Sequence, residues 1–378
     1  MKLRINWKQH LKTIIVFLLI VAVGGAIVVV SGIAPIAASS GHWEITKWFL
    51  NFSKERAVAT HSMLIEVPDL DVQSKIVQGA GHYEIGCLQC HGSPGKVPPR
   101  IVSLMTPKPP EIAAVVPERE PQELFYIVKH GIMLTGMPAW PSQERDDEVW
   151  SVVAFLLKYP QLSETEYQQL ALGDFEKQSA QTIEGVADDA LTVPHEVIES
   201  CAGCHGVDGQ GRDLGVFPKL AGQNEAYLIA TLNAYQADRR HSGTMEPVAG
   251  RVDEEIIKGV SRYYSQLNSG DATISSAGTE ENPEGIARGQ EIATNGIPEQ
   301  NVPSCVDCHP TSRAPYNNAY PTLNGQYADY LELQLNLFKQ RKRGGTKSAN
   351  LMHAVVDHLK DEQMRDVSLY YESLKFNE

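Results

Sequence analysis

Cysteine is scarce in this 378-residue chain and never spare. All six fall in three copies of one pentapeptide, which leaves no thiol for a separate disulfide framework or a lone nucleophile. Basic residues are outnumbered, 33 Lys and Arg against 46 Asp and Glu, and the formal net charge of −13 argues against nucleic acid as a partner. No stretch alternates apolar and polar residues over strand length, so an all-α fold is expected and the βαβ setting of a thioredoxin-like redox pair is not. A Gly-rich phosphate loop is missing, as is any grouping of nucleophile, base and orienting residue. That points to a carrier, or to a subunit of an oxidoreductase, rather than to an independent catalyst.

What is present is the pentapeptide itself: Cys87-Leu-Gln-Cys90-His91, Cys201-Ala-Gly-Cys204-His205 and Cys305-Val-Asp-Cys308-His309. A C-x-x-C-H run is the attachment signature of c-type haem, the thiols adding across the vinyl groups and the adjacent His reaching the iron. Three covalently bound haem c groups (iron) are therefore expected, on Cys87 and Cys90, Cys201 and Cys204, and Cys305 and Cys308. A tetrahedral zinc site would want further Cys or His at ligand spacing, whereas these copies lie about a hundred residues apart. A disulfide reading leaves unexplained why every second cysteine precedes a histidine.

The N-terminus is the exception to a composition that otherwise folds in water. Lys2, Arg4, Lys8 and Lys12 precede an uncharged, largely apolar run from Ile14 to Ala38, longer than the about 20 residues a bilayer core requires. Residues 1–40 therefore read as a cytoplasmic tip and transmembrane anchor, with the remainder outside. A cleaved signal peptide is the alternative, with a small-residue site at Ala37-Ala38, although its apolar region would usually span only about 7 to 15 residues. Within 41–74, an interfacial or linker segment, Trp43, Trp48, Phe49 and Phe52 sit among Lys47, Lys54 and Arg56. That pattern suits either the membrane interface or a short helix packed on the following unit.

Each motif opens a unit of the same plan: a loop, a Pro-containing turn, a helical stretch, a Met, and a closing helix with aromatic residues. In the second unit Phe217-Pro-Lys-Leu-Ala-Gly-Gln223 leads to Tyr227, Met245 and Tyr263-Tyr264. In the third, Tyr320-Pro-Thr-Leu-Asn-Gly-Gln326 leads to Tyr330, Met352 and Tyr370-Tyr371, each feature 103 to 107 residues after its counterpart. The first unit is more distant, with a proline-rich loop, Val97-Pro-Pro-Arg100 and Thr106-Pro-Lys-Pro-Pro110, and its Met within Thr135-Gly-Met-Pro-Ala-Trp140. Helical stretches are also expected before the motif, around Lys75 to Ile85 and Glu284 to Thr294, and the first unit's last helix should stop at Pro160. Polar stretches, Gly173 to Thr192 and Ser269 to Pro283, mark boundaries between units at 75–175, 190–268 and 283–378.

On these residues the chain resembles class I cytochromes c. Its last two units resemble the two-domain diheme cytochromes c of the bacterial periplasm through their paired Pro-x-Leu-x-Gly-Gln turns. The first, through Lys129-His-Gly-Ile-Met-Leu-Thr-Gly-Met-Pro-Ala-Trp140, is similar to single-haem domains of membrane-attached respiratory subunits. The resemblance implies helical haem domains in the periplasm, held to the bacterial inner membrane by a single span, and one-electron transfer. It implies His91, His205 and His309 as proximal ligands and Met137, Met245 and Met352 as distal ones; a thioether opposite imidazole raises the potential and leaves no open site. Met137 is preferred to Met133 for its Gly-Met-Pro context. His130, His241 and His353 lie near the three distal positions and would give bis-His ligation instead; His82 is expected on the preceding helix and not at an iron. Pro218 and Pro321 match positions whose carbonyl holds a proximal His, while the first unit offers several prolines. Trp140, Tyr227 and Tyr330 are aromatic core residues or line haem edges. A basic cluster, Lys339, Arg341, Lys342, Arg343 and Lys347, reads as a solvated helix end or, less simply, a docking patch. The expected function is a membrane-anchored triheme electron relay between a quinol-oxidising complex or soluble cytochrome and a terminal haem–copper oxidase. The alternative is the electron-acceptor subunit of a periplasmic alcohol- or sugar-type dehydrogenase.

Overall fold

The computed structural model describes residues 7–33, 37–173, 195–213, 215–267, 282–311, 317–346 and 348–374. Lys2, Arg4 and Lys347, and most of the two boundary stretches, lie outside them. Among the described residues the chain is helical throughout, with two isolated bridges, Ser93 to Lys96 and Ile297 to Val302, as its only β pairing.

Helix α1, Trp7–Ser31, contains an apolar stretch from His10 to Ser31, none of it buried against the rest of the chain. Its 22 residues rise about 33 Å at 1.5 Å each, enough to cross a hydrocarbon core of about 30 Å. Helix α2, Glu44–Ser62, divides into two halves. Trp43 and the first half expose Trp48, Phe49 and Phe52, whereas the second half buries Val58 and Ser62. That end is fastened by an ion pair from Glu55 to Arg119 at 2.7 Å and by His61 stacked on Tyr126. The second half is thus a helix packed on the following unit, while the aromatic side chains of the first half stay exposed.

Three groups of helices follow, each with its own packed core. The first is α3 (Gln73–Gly86), α4 (Pro121–His130), α5 (Asp146–Lys158) and α6 (Glu164–Leu172). It is filled by Val149, Val152, Val153 and Phe155 with an aromatic cluster of Tyr83, Tyr159 and Tyr167. Helix α5 ends at Lys158, and a single tight turn, Tyr159–Gln161, carries the chain through Pro160. The second group is α7 (His195–His205), α8 (Glu225–Gln236) and α9 (Glu254–Gln266), around Ala221, Leu228, Tyr263 and Tyr264. The third is α10 (Pro283–Asn295), α11 (Ala328–Lys339), α12 (Ala349–Val356) and α13 (Asp361–Ser373). Its core splits into two patches, one around Phe338, Val356 and Met364 and one around Leu331, Val367 and Tyr371. A split core in so small a unit is what an intervening planar group would produce.

In the first group α3 crosses α5, and in the third α10 crosses α13, at a glycine. A Cβ at Gly79 would overlap the Ser151 carbonyl, and one at Gly289 the Asp366 carbonyl. Glycine in mid-helix costs about 0.5–1 kcal/mol relative to alanine, and here it lets two backbones touch. Tyrosine then ties the closing segment to the motif: Tyr159 donates to the Gly92 carbonyl, as does Tyr83 of α3, Tyr264 donates to the Gly206 carbonyl, and Tyr371 to the His309 carbonyl.

The second and third groups meet along a reciprocal seam. Gln223 donates to the Thr322 carbonyl at 3.0 Å and accepts from its N–H at 2.8 Å. Gln326, 103 residues later, donates to the Lys219 carbonyl at 3.0 Å and accepts from its N–H at 3.0 Å. The first group packs on the second through α3. An ideal Cβ at Gly81 would lie 3.0 Å from the Phe217 ring and 3.4 Å from Cys204 Sγ. Arg212 also caps the end of α6, donating to the carbonyls of Ala171 and Gln169.

Candidate haem sites

All six cysteines are free of disulfides, and burial pushes four of the thiols upward, to about 12 for Cys87 and about 11 for Cys201, Cys204 and Cys305. A redox-active C-x-x-C needs the opposite, a thiol depressed toward neutrality. These pairs are built for a lipophilic partner and not for thiol–disulfide exchange.

The three motif histidines share one arrangement. Nδ1 of His91 lies 3.1 Å from the Pro110 carbonyl, that of His205 3.2 Å from Pro218 and that of His309 2.9 Å from Pro321. Among the several prolines of the first unit's loop, the structure selects Pro110. Each carbonyl orients the ring and fixes the tautomer with the proton on Nδ1, so Nε2 keeps its lone pair for a metal. Burial lowers the pKa of all three histidines below the ordinary value, and the proline carbonyls oppose this only in part. Neutral imidazole is the ligating form.

The third unit shows the cavity most fully. About 1270 Å³ of empty space, part of it open to solvent, is lined by Cys305, Cys308, His309 and Met352. Met352 projects from α12 among core residues. His353 instead has its Nε2 2.8 Å from the Arg343 carbonyl and its ring edge-on to Phe338.

Met245 opens a short helix, Met245–Ala249, in the second unit. His241 beside it faces Asp238 and Glu246 at 3.5 and 3.7 Å. Met137 sits half-buried in a non-helical loop, while Met133 is 88% exposed. His130 is exposed at the end of α4, against Tyr126. His82 is buried on α3, 2.5 Å from Thr244 Oγ1 of the second unit. Trp140 is buried at that same contact and donates to Glu148 at 3.2 Å.

Two residues at the third cavity were not legible as site residues. Arg240 and Arg343, again 103 residues apart, both line it and make no ion pair with a carboxylate among the described residues. Arg240 donates to Tyr227, Thr231, Tyr330 and Gln334, and Arg343 to Tyr227. Arg343 is thus not part of the solvated basic cluster: it turns inward, while Lys339 and Arg341 pair with Asp361 and Asp357 at the surface. Burial and the neighbouring Arg240 charge lower the pKa of Arg343. Burial alone would raise the pKa of Tyr227, yet the charges of Arg240 and Arg343 outweigh it and draw the phenol below its ordinary value. A buried cation and a half-buried one, held by hydroxyls and an amide oxygen but by no carboxylate among the described residues, call for an anion. Haem carries two carboxylates, so the residues that line the cavity fit the group: two thiols, a neutral imidazole, a thioether, and guanidiniums for the acidic edge.

Residues 74–156 match the family described as cytochrome C oxidase, cbb3-type, subunit III, and residues 196–259 and 286–375 match the family described as cytochrome c. Similar proteins include the thiosulfate dehydrogenase electron acceptor of Stutzerimonas stutzeri (strain A1501), 30% identical over 172 residues covering 46% of this chain and 77% of that one. Cytochrome c-552 of Acidithiobacillus ferridurans is 31% identical over 185 residues, 48% of this chain and 76% of that one. Cytochrome c4 of Thiocapsa roseopersicina is 30% identical over 176 residues, 46% and 86% respectively. The matched segments take in every Cys-x-x-Cys-His motif, and with the helical fold and the proline-held imidazoles they lead to one conclusion: the chain belongs to the class I c-type cytochromes, with multiple haem domains and covalently bound haem c.

Proposed function

We propose that this chain is a membrane-anchored cytochrome c with three haems, relaying single electrons on the periplasmic side of the bacterial inner membrane. The observation that carries the reading is the threefold recurrence of one arrangement, a His after paired cysteines with Nδ1 on a proline carbonyl. Haem c in such a site supplies a one-electron couple. The chain does the rest: Cys87, Cys90, Cys201, Cys204, Cys305 and Cys308 tether, and His91, His205 and His309 bind the iron. Met137, Met245 and Met352 close the distal positions, so that no site is left for substrate. The three units span 75–175, 190–268 and 283–378, and residues 1–40, which contain α1, anchor them.

A donor such as a quinol-oxidising complex and a terminal haem–copper oxidase as acceptor suit the likeness of the first unit to an oxidase subunit. A second reading, acceptor subunit of a periplasmic dehydrogenase, is favoured by the relatives that serve thiosulfate dehydrogenase, and it directs the search toward sulfur-compound rather than alcohol or sugar enzymes. A haemochrome assay should give three covalent haems per chain, and two would refute the count. Fractionation should leave the intact chain in membranes. Co-purification from mild detergent separates the readings: oxidase subunits support the first, a dehydrogenase the second.

A further inference from the structure

Where the first unit meets the second, a buried carboxylate of one unit serves a loop of the other. Glu148, on α5 and 2% exposed, is paired within its own unit by Arg145 at 2.9 Å. A buried charge needs its remaining lone pairs filled as well, and three further donors fill them. Trp140 Nε1 donates at 3.2 Å from the same unit. From the second unit come the Gly243 N–H at 2.6 Å and the Ser242 hydroxyl at 2.7 Å. Arg145 reaches across as well, donating to the His241 carbonyl at 2.9 Å. Gly243 admits this approach because a Cβ there would overlap the Trp140 indole. The bonds then pass along the chain: Ser242 Oγ, having donated to Glu148, accepts from the backbone N–H of Met245 at 3.1 Å.

We propose that Glu148 is a positioning residue for Met245, so that the first haem unit holds the distal ligand loop of the second. The proposal rests on the assignment of Met245 as a ligand made above. Bonds to a charged acceptor are about twice as strong as neutral ones, and here they fix Ser242 and Gly243, with the Ser242 hydroxyl passing the hold on to the N–H of Met245. A thioether is a weak axial ligand on a flexible side chain, so the loop that carries it decides how often it leaves the iron. Within its own unit the loop is held by the Ser242 N–H, which donates to the Glu246 carboxylate at 2.7 Å; Glu148 supplies the anchor from outside.

The test uses the full-length, haem-loaded protein with methyl-labelled methionine. In the reduced state a ligated methionine gives a methyl resonance shifted by the porphyrin ring current, identified for Met245 by its loss in Met245→Leu. In the oxidised state imidazole competes for the distal position. Ser242→Ala removes the relay and leaves the Glu148–Arg145 pair intact; Glu148→Gln removes the charge. In Ser242→Ala the Met245 signal should broaden or vanish and the second haem should bind imidazole roughly tenfold or more tightly, the scale of one hydrogen bond in a charged chain. Ser242→Thr, which keeps the hydroxyl, should restore both, and the Met137 and Met352 signals should not move. If Glu148→Gln fails to fold, Ser242→Ala alone decides. Unchanged Met245 signal and imidazole affinity in Ser242→Ala overturn the clamp and spare the ligand assignment. A parent protein without a shifted Met245 methyl overturns both.

Discussion

Replacing Gln326 by alanine tests the seam between the duplicated units. Gln326 is 4% exposed and turns its amide to the backbone of one residue of the neighbouring unit, accepting from the Lys219 N–H and donating to the Lys219 carbonyl, each at 3.0 Å, while its Oε1 also accepts from the N–H of Tyr327 at 3.2 Å. An intramolecular hydrogen bond contributes about 0.5–1.5 kcal/mol net, so losing two removes about 1–3 kcal/mol from seam closure. The matched substitution, Gln223→Ala, breaks the two bonds to Thr322 and should weaken the seam by a similar amount. Native-state hydrogen exchange reads this locally, which matters because a multi-domain haem protein has no single unfolding free energy. A central loss of about 2 kcal/mol corresponds to roughly 30-fold faster exchange, at Lys219 in Gln326→Ala and at Thr322 in Gln223→Ala. Exchange at both amides within about threefold of the parent would refute the reasoning about the seam, and an effect in only one variant would refute its reciprocity.

Three further outcomes follow from the same contacts. Removing the half-buried cation Arg343, which lines the third cavity, as Arg343→Met should lower the midpoint potential of the third haem, because a poorly solvated positive charge disfavours the more positive oxidised iron; potentiometric titration that shows no fall contradicts it. Gly289→Val would drive a side chain into the Asp366 carbonyl and the Tyr370 Cβ, at a cost of about 3 kcal/mol or more, and should sharply reduce the thermal midpoint and the yield of haem-loaded protein. His82 is held neutral chiefly by burial, with its pKa lowered, while Glu148 and Asp147 oppose the shift and Arg145 adds to it. The unfolded chain therefore takes up a proton near pH 6.5 that the folded one refuses, so stability is complete above that pH and falls as pH drops toward the folded value. His82→Gln should flatten this acid-side slope in denaturant unfolding, and an unchanged slope would count against it.

The motifs, the duplicated plan and the helical class are written in local sequence, because haem attachment needs contiguous residues and helices need only their own periodicity. The Arg240 and Arg343 pair was legible in principle. The two lie 103 residues apart, like Tyr227 and Tyr330, and a charge kept at matched places in two otherwise acidic units is a signal. Arg343 instead merged with its basic neighbours, since sequence gives no side chain a direction. Pro110 could not be chosen because it follows its histidine by 19 residues, where Pro218 and Pro321 follow theirs by 13 and 12. Glu148 left no trace at all. Its partners in the second unit lie 94 and 95 residues away, and one glutamate in the acidic first turn of a helix looks like any dipole-favoured residue.

The glutamine seam also bears on how firmly the last two units stay together. It has the form of an isologous dimer contact, each patch meeting its own equivalent, but both partners are encoded in one chain. Joined through the stretch between residues 267 and 282, the halves see each other at an effective concentration on the order of millimolar. A contact with a dissociation constant of about 10 μM, too weak to hold separate chains together in dilute solution, would then be closed about 99% of the time. Tethering also frees the halves to differ: in a true dimer every substitution appears twice, whereas here one side can be altered alone, and the two haem environments can be tuned apart without unmaking the joint.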